Sequence, residues 1–330
     1  MASQASSTSQ VRQLFGTDGM RGVAGEFPLN AVTVYALGQA LGSWAATHTV
    51  QNSAPQVIIG MDTRESSPWL AEALAAGLVE RGVAVRFAGL ITTPGVAWLT
   101  RTGPFAAGVM ISASHNPFQD NGIKIFDHSG YKIADEVELE FEQQIFALLK
   151  DTSTVPPFSL TEDPGLDHQY VEFLRSTFSH TLEGKTVVLD CANGASAHLA
   201  PNLFQSLGAT VIAIGCEPDG RNINQDCGAL HIESLRNHVI QEKADFGFAF
   251  DGDSDRCIGV SATGRTIDGD AMLLVCARHL KAAGTLGESV VATVMSNLGF
   301  EKALERDGIR LLRTGVGDKY VLEEMNSPVM

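Results

Sequence analysis

Three aspartates at alternate positions form the strongest chemical signal in the sequence. Asp251, Asp253 and Asp255 lie in the segment AFDGDSDRCIG, directly after an apolar run. In an extended chain such side chains share one face about 6.6 Å apart, and two carboxylates at that spacing repel by about 2–3 kcal/mol. A bound divalent cation would turn this repulsion into attraction. Because oxygen ligands alone select a hard ion, the motif predicts a Mg²⁺ or Ca²⁺ site.

The residues around these aspartates narrow the kind of metal site. An EF-hand loop needs Gly at its sixth position and Glu at its twelfth, where this chain has Arg256 and Ala262. An aspartyl-phosphate phosphatase is disfavoured, because Asp255 stands where Thr or Val would follow its aspartate pair. Mg²⁺ requires the segment to curl, and Gly252 permits that. The alternative is a solvated acidic turn. The presence of Arg256 makes this alternative less favourable, because an arginine at this position suits a phosphate that bridges to the metal.

A serine loop is the second candidate, in the segment GVMISASHNPFQDNGIKIF at residues 108–126. An apolar strand leads to Ser114, whose hydroxyl can face a cleft, although the Gly-x-Ser-x-Gly pattern of esterases is absent. His115 follows directly, and neighbouring side chains of an extended chain point apart, so we expect no hydrogen bond between the two. Strand alternation predicts that Lys124, between two isoleucines, faces outward. It is then either a surface lysine or a general acid/base or phosphate contact.

A glycine-rich segment near the start, LFGTDGMRGVAG at residues 14–25, is the third candidate. It places Arg21 and Asp18 among four glycines, which allow a ligand to approach the backbone closely. The spacing matches neither the dinucleotide-binding fingerprint nor the P-loop. Taken alone, this segment carries little information about function.

The composition limits the class of protein that can hold these motifs. With 330 residues, 44% hydrophobic and 18% charged, the chain is neither disordered nor a coiled coil and is long enough for two or three domains. Its net charge of −15 argues against a general nucleic-acid binder but permits anionic substrates at a local basic site. No apolar run approaches a membrane span. Five cysteines without a Cys-x-x-Cys pair favour a reducing, cytoplasmic compartment over a disulfide framework or a structural zinc.

Short apolar runs alternate with helical patterns, which predicts an α/β protein of consecutive βα-type domains with mixed, mostly parallel sheets. Strands are predicted at 57–61, 83–90, 107–112, 122–126, 186–190, 210–214, 245–250 and 289–294, and helices at 66–82, 135–150, 167–182, 197–207, 233–242 and 269–283. Residues 1–13 are predicted to be a disordered N-terminus, and 151–165 a linker. Asp62 and Asp190, each at a strand end, are expected to cap a helix or brace a loop.

Five segments together resemble the α-D-phosphohexomutases, the phosphoglucomutase/phosphomannomutase superfamily. They are FGTDGMRG, the serine loop, FAFDGDSDR, VATVMSNLGF and GVGDKYVLEEM, and they cover nearly the whole chain from Leu14. The resemblance implies domains around a central cleft. Domain I would span 14–157 with the catalytic serine loop, domain II 158–260 with the metal-binding loop, and domain III 261–330.

The resemblance also implies a reaction and its residues. Ser114 would be a phosphoserine whose phosphate completes a Mg²⁺ site with the three aspartates. Arg256 and Asn116 would contact phosphate, while Arg21, Lys124 and His115 would take part in catalysis. The small-molecule partner would be a phosphosugar. Glucosamine 6-phosphate and glucosamine 1-phosphate would interconvert through glucosamine 1,6-bisphosphate, feeding cell-wall precursors. The alternatives are a mannose or glucose phosphate substrate, or an inactive fragment.

Two departures from the family pattern accompany this resemblance. Ser254 stands where the family loop usually has Gly, which costs about 1 kcal/mol if the position needs a positive φ. The family's third-domain Gly-Glu-x-Ser-Gly loop and fourth-domain Arg-Pro-Ser-Gly-Thr loop have no match in the sequence. We therefore expect the third domain to be incomplete and the fourth to be absent.

Overall fold

The computed structural model describes residues 12–16, 18–50 and 53–327. Most of the expected disordered N-terminus lies outside these residues. Contacts divide the chain into two compact units. The first ends at Leu174 and also holds Pro218–Ile223, whereas the second holds Arg175–Glu217 and the chain from Asn224 onward. Among the described residues, no helix combines the length and apolar character needed to cross a membrane.

A six-stranded sheet forms the centre of the first unit. Its strands are β1 (Phe15–Gly16), β2 (Gly19–Val23), β3 (Gln56–Met61), β4 (Ala84–Leu90), β5 (Ala107–Ile111) and β6 (Asp120–Asp127), in the order β1-β2-β6-β5-β3-β4. The helices are α1 (Ala31–Ala45), α2 (Ser67–Glu80), α3 (Thr93–Thr102), α4 (Asp135–Leu148) and α5 (Pro164–Ser176). β5, β3 and β4 run parallel, and the remaining neighbours are antiparallel.

Helices α1 and α2 pack with their backbones nearly in contact, because each has a glycine at the crossing. A Cβ added to Gly38 would lie 2.2 Å from the carbonyl oxygen of Leu74, and one added to Gly77 would lie 2.2 Å from that of Tyr35. No other residue fits there without separating the helices. The two helices share the main hydrophobic core with strands β3, β5 and β6.

The second unit contains a five-stranded sheet and a two-stranded one. Its strands are β7 (Thr186–Asp190), β8 (Thr210–Ile214), β9 (Phe246–Phe250), β10 (Cys257–Ser261), β11 (Thr266–Ile267), β12 (Ser289–Thr293) and β13 (Arg310–Thr314), ordered β11-β10-β9-β7-β8 and β12-β13. The helices are α6 (Leu199–Ser206), α7 (Glu233–Gln241), α8 (Gly269–Ala282), α9 (Leu298–Arg306) and α10 (Asp318–Asn326).

The expected α/β class with mixed sheets is confirmed. Within the described part of the chain, five strand pairings are parallel and five are antiparallel, so parallel pairing does not predominate. Two of the antiparallel pairings flank the predicted motifs. β5 to β6 and β9 to β10 are antiparallel neighbours joined by a loop instead of a helical crossover. These two loops carry the serine and the aspartates.

The segment 151–165 is attached to the first unit more closely than a linker would be. Phe158 and Leu160 pack against the core, and the amide of Asp163 donates to the carbonyl of Phe87 at 2.7 Å. Helix α5 begins at Pro164, suited to a first helical turn, and ends at Ser176, so the prediction of 167–182 was displaced. The first unit thus extends beyond the expected domain limit at 157, and the limits at 157 and 260 stay predictions.

Candidate active site

Ser114 lies in the loop that joins β5 to β6, and its backbone is held in a left-handed conformation. Its φ is 54°, and its side chain is buried. Its amide donates to Oγ of Ser112 at 2.9 Å, and the amide of Asn116 donates to the carbonyl of Ala113 at 3.1 Å. Serine rarely adopts this conformation unless its surroundings impose it. The loop therefore fixes the direction of the Ser114 hydroxyl.

The expectation that Ser114 and His115 point apart was wrong. Oγ of Ser114 lies 3.3 Å from Nδ1 of His115, within hydrogen-bonding distance. The expectation assumed an extended chain, but the positive φ of Ser114 turns the backbone between the two side chains. The pair therefore has the contact that proton exchange between a hydroxyl and an imidazole requires.

A buried arginine that the sequence analysis missed holds the serine loop from inside. Nη2 of Arg64 donates to the carbonyls of Ser114 and Asn116, both at 2.9 Å. Nη1 donates to the carbonyls of Pro117 and Asp120. A local signal was present, since Arg64 lies in the segment that follows strand β3, close to Asp62. Which loop the arginine reaches depends on the order of the strands.

Asp62 braces this loop, as one of its two expected roles predicted. Its carboxylate accepts from Nε of Arg64 at 2.9 Å and from Oγ of Ser112 at 2.6 Å. It also accepts from Oγ of Ser67 at 3.0 Å. Asn116, which was expected to contact phosphate, donates from its side-chain Nδ2 to Oδ2 of Asp120 at 2.9 Å. Its role toward phosphate stays a prediction.

Lys124 does not face solvent, which corrects the prediction from strand alternation. The side chain is 1% exposed, because β6 lies inside the sheet between β2 and β5 and is covered on both faces. Its Nζ lies 3.5 Å from Oδ2 of Asp18. A buried ammonium needs such a partner to offset its loss of water. Lys124 is thus part of an internal charged cluster and not a surface lysine.

Asp18 is the centre of this cluster and pairs with three cations. Arg21 and Lys132 also form ion pairs with its carboxylate. Burial by itself would raise the pKa of Asp18, but the charges of Lys124, Lys132 and Arg21 outweigh it and hold the pKa well below its usual range. Nε of Arg21 is buried and makes no hydrogen bond within the described residues. The cluster carries more positive than negative charge and suits an anionic ligand.

The three aspartates converge in the second unit, at the turn between β9 and β10. One carboxylate oxygen from each of Asp251, Asp253 and Asp255 lies within 4.8 Å of the others, and the first two residues are buried while the third is exposed. The expected curl is present, but the positive φ, 59°, belongs to Ser254 and not to Gly252. The Ser254 amide closes the turn by donating to the carbonyl of Asp251 at 3.0 Å.

This donor set fits a hard divalent cation. All the converging ligand atoms are carboxylate oxygens. Mg²⁺ and Ca²⁺ prefer such ligands, whereas softer metals prefer nitrogen or sulfur. The amide of Arg256 donates to Oδ1 of Asp251 at 3.1 Å, which orients that carboxylate. The Arg256 side chain is half exposed, with Nε 4.0 Å from Oδ2 of Asp251. The side chain therefore lies beside Asp251 at the outer limit of an ion pair.

Asp190 braces the neighbouring loop, as one of its expected roles predicted. It accepts from the amides of Ala192 at 3.0 Å and Gly228 at 2.9 Å. Burial raises the pKa of Asp190 in spite of these two hydrogen bonds. All five cysteines are free thiols in this structure. Neither Asp190 nor the thiols belong to the aspartate trio.

Comparisons with known proteins identify relatives of the whole chain. Sequence models described as phosphoglucomutase/phosphomannomutase, alpha/beta/alpha domains I, II and III match residues 12–151, 168–264 and 268–328 respectively. The chain is 58% identical over 315 residues to a phosphoglucosamine mutase of Solibacter usitatus, covering 95% of this chain and 70% of that protein. It is 51% identical over 324 residues to a phosphoglucosamine mutase of Koribacter versatilis, covering 96% and 69%.

Solved structures give the same fold. A phosphoglucomutase/phosphomannomutase family protein of Burkholderia thailandensis superposes with a TM-score of 0.80 at 24% identity, over 94% of this chain and 68% of that one. A putative phosphomannomutase of Thermus thermophilus gives 0.76 at 26% identity, over 94% and 70%. The chain belongs to the phosphoglucomutase/phosphomannomutase family.

Proposed function

We propose that this chain interconverts glucosamine 6-phosphate and glucosamine 1-phosphate through glucosamine 1,6-bisphosphate, with Ser114 as the phosphoryl carrier. The observation that carries the proposal is the constrained Ser114, whose Oγ lies 3.3 Å from an imidazole nitrogen at the end of a buried strand. The names of the relatives from Solibacter usitatus and Koribacter versatilis support glucosamine as the sugar. Phosphomannomutase or phosphoglucomutase activity is the second candidate, favoured by the Thermus thermophilus neighbour.

Each half of the reaction is a phosphoryl transfer between two oxygen atoms. The bond between phosphorus and Oγ of Ser114 breaks while a sugar hydroxyl oxygen forms the new bond, and the proton that the sugar hydroxyl loses is balanced by the proton that Oγ of Ser114 gains. His115 is placed to exchange a proton with Oγ of Ser114. After the bisphosphate turns around, the other phosphoryl group returns to Ser114. In that step the bond between phosphorus and the sugar oxygen breaks, the bond to Oγ of Ser114 forms, and the proton lost by Ser114 is balanced by the one that the sugar oxygen gains.

The chain's cations supply the electrostatic part of this reaction. Phosphoryl transfer depends mainly on alignment and on neutralising the charge of the transferred group. Lys124 and Arg21, oriented by Asp18, are proposed to bind phosphoryl oxygens and assist proton movement. The buried Nε of Arg21 supports this, because a phosphate oxygen is an acceptor it can use. Arg256 and Asn116 are proposed as further phosphate contacts.

Asp251, Asp253 and Asp255 are proposed to hold Mg²⁺. When bound, Mg²⁺ acts as a Lewis acid that neutralises charge on the transferring phosphoryl group. The family resemblance implies that the phosphate of Ser114 is a further ligand. The five free thiols support a cytoplasmic location.

The proposal is tested by incubating the purified chain with glucosamine 1,6-bisphosphate and Mg²⁺ and measuring its intact mass. We expect one added phosphoryl group, located at Ser114 by peptide mapping and absent from Ser114→Ala. Comparing kcat/KM for glucosamine, mannose and glucose phosphates then identifies the sugar. An unmodified Ser114 under these conditions would contradict the proposal, and a higher kcat/KM for mannose or glucose phosphate would favour the second candidate.

A further inference from the structure

We infer that Arg64, Asp62 and Ser112 form a positioning unit that holds Ser114 in the conformation needed for phosphoryl transfer. We call these three residues the serine-loop clamp. The inference rests on the proposed function for its catalytic consequence. The positioning of Ser114 itself is argued only from hydrogen bonds within the first unit. None of the three residues touches the transferred group in this account, so they are positioning residues.

Arg64 uses every hydrogen-bond donor of its guanidinium inside the protein. A guanidinium has five N–H groups. Nε donates to Asp62, Nη1 to the carbonyls of Pro117 and Asp120, and Nη2 to those of Ser114 and Asn116. The side chain is completely buried, and its charge is balanced by Asp62. A loop with four carbonyls on one rigid planar group cannot change shape without breaking several bonds together.

The clamp reaches Ser114 from both sides of its backbone. Arg64 holds the Ser114 carbonyl directly, at 2.9 Å. The Ser114 amide is held indirectly, because it donates to Oγ of Ser112, which in turn donates to Asp62. Both paths end at the same ion pair between Arg64 and Asp62. The left-handed φ of 54° is therefore imposed on Ser114 by two anchored peptide groups.

This arrangement has a direct consequence for the reaction. Rotating either peptide group would move Oγ of Ser114 away from the position that brings it within 3.3 Å of His115. A misplacement of about 1 Å in a reacting group can cost about 100-fold in rate. Loosening the clamp should therefore slow transfer to Ser114 while leaving the remaining fold in place.

Two serines provide a matched test. Ser112 and Ser67 are both completely buried, and the hydroxyl of each donates to Asp62. Each hydroxyl also accepts one N–H, but Ser112 accepts from the amide of Ser114, whereas Ser67 accepts from the side chain of Asn121. Replacing either serine by Ala removes one hydrogen bond that a hydroxyl donates to Asp62. Only Ser112→Ala releases the Ser114 amide.

The experiment compares both variants with the wild-type chain by amide hydrogen exchange and by the rate of Ser114 phosphorylation from glucosamine 1,6-bisphosphate. We expect similar decreases in Tm for the two variants. Exchange in peptides covering 112–120 should become faster in Ser112→Ala only, and its phosphorylation rate should fall by about tenfold or more, mainly in kcat. Ser67→Ala should stay within about twofold of wild type.

Arg64→Lys provides a second arm that keeps the charge beside Asp62. An ammonium has only three donors and cannot reproduce the planar fork, so the 112–120 amides should exchange faster and phosphorylation should slow. The inference would be wrong if Ser112→Ala and Ser67→Ala had the same hydrogen-exchange and phosphorylation rates. It would also be wrong if Arg64→Lys left hydrogen exchange in residues 112–120 unchanged. If wild-type Ser114 takes up no phosphate, the proposed function fails. The hydrogen-exchange comparison still tests whether Arg64, Asp62 and Ser112 hold the serine loop.

Discussion

Nζ of Lys124 lies 3.5 Å from Oδ2 of Asp18, and this ion pair places a lysine with almost no exposed surface inside a six-stranded sheet. Lys132 and Arg21 share the same carboxylate, so one aspartate organises three cations. Asp18 thereby sets the position of the groups that we propose to bind phosphate. Its protonation state should be linked to stability as well as to activity.

Asp18→Asn should destabilise the protein in a pH-dependent manner. The folded-state pKa of Asp18 is lowered, so its stabilising effect is complete above the unfolded pKa and is lost as the pH falls through the folded pKa. We expect a loss of about 2 kcal/mol in the free energy of unfolding near pH 7. The difference from wild type should shrink below about pH 4. Urea denaturation at several pH values measures both.

An exposed ion pair gives the control for this prediction. Glu305 pairs with Lys302 at 2.8 Å with both side chains more than half exposed, and Glu305→Gln should change stability little at any pH. A loss in Asp18→Asn that stayed constant down to acid pH would show that the carboxylate charge does not matter there.

Ser254→Gly should stabilise the chain. Ser254 has φ 59°, a region that glycine occupies without the steric cost that a side chain brings. We expect the free energy of unfolding to rise by about 1 kcal/mol, measured in the absence of metal. Ser254→Ala keeps the Cβ and should bring no such gain. If Gly and Ala gave the same stability, the strain assigned to this turn would be absent.

Lys124→Met should impair phosphoryl transfer far more than it impairs folding. The replacement keeps a long apolar side chain in the buried position and removes only the ammonium. The phosphorylation rate of Ser114 should fall by about 10²–10⁴-fold, as expected for loss of a positioned acid/base group. Lys150→Met, in the exposed turn after α4, is the control. A wild-type rate in Lys124→Met would remove Lys124 from the mechanism.

The five thiols should react in an order set by burial. Burial raises the pKa of Cys227 and of Cys257 to about 12. A hydrogen bond with Cys216, together with burial, raises the pKa of Cys191 well above its usual range. Cys276 is exposed. Iodoacetamide at about pH 8 should therefore modify Cys276 before Cys227 and Cys257, and Cys191 last, because the thiolate is the nucleophile.

Peptide mapping over time measures this order, and Cys276→Ser should leave the rates at the other thiols unchanged. Modification of Cys257 as quickly as Cys276 would contradict the burial of the β10 end. Cys257 lies close to the aspartate trio in sequence, so its protection also reports on the integrity of that turn.

The sequence predicted what depends on short-range pattern. Apolar runs such as 57–61 and 186–190 form strands, because they are too short for a buried helix and turns flank them. The aspartate trio was found because all of its ligands belong to one loop. The prediction that this loop curls was correct, although the residue in the left-handed conformation is Ser254 and not Gly252.

What the sequence could not predict depends on strand order or on a single dihedral angle. Lys124 is buried because β6 lies between β2 and β5, and alternation along one strand carries no information about its neighbours. The Ser114–His115 contact follows from one positive φ. Arg64 bonds to residues 50 to 56 positions away, so its role becomes visible only when β3 and β5 are paired.

We propose that a hard dication held by the aspartate trio binds more tightly once Ser114 is phosphorylated. Titration calorimetry of Mg²⁺ into the phosphorylated and unphosphorylated chain tests it most directly, with Asp253→Asn as the control for the trio. We expect one site that binds Mg²⁺ at least about tenfold more tightly after phosphorylation, since each added anionic oxygen ligand strengthens the site, and that is lost in Asp253→Asn. No Mg²⁺ uptake by the phosphorylated chain, or uptake unaffected by Asp253→Asn, would show that the trio does not hold the metal.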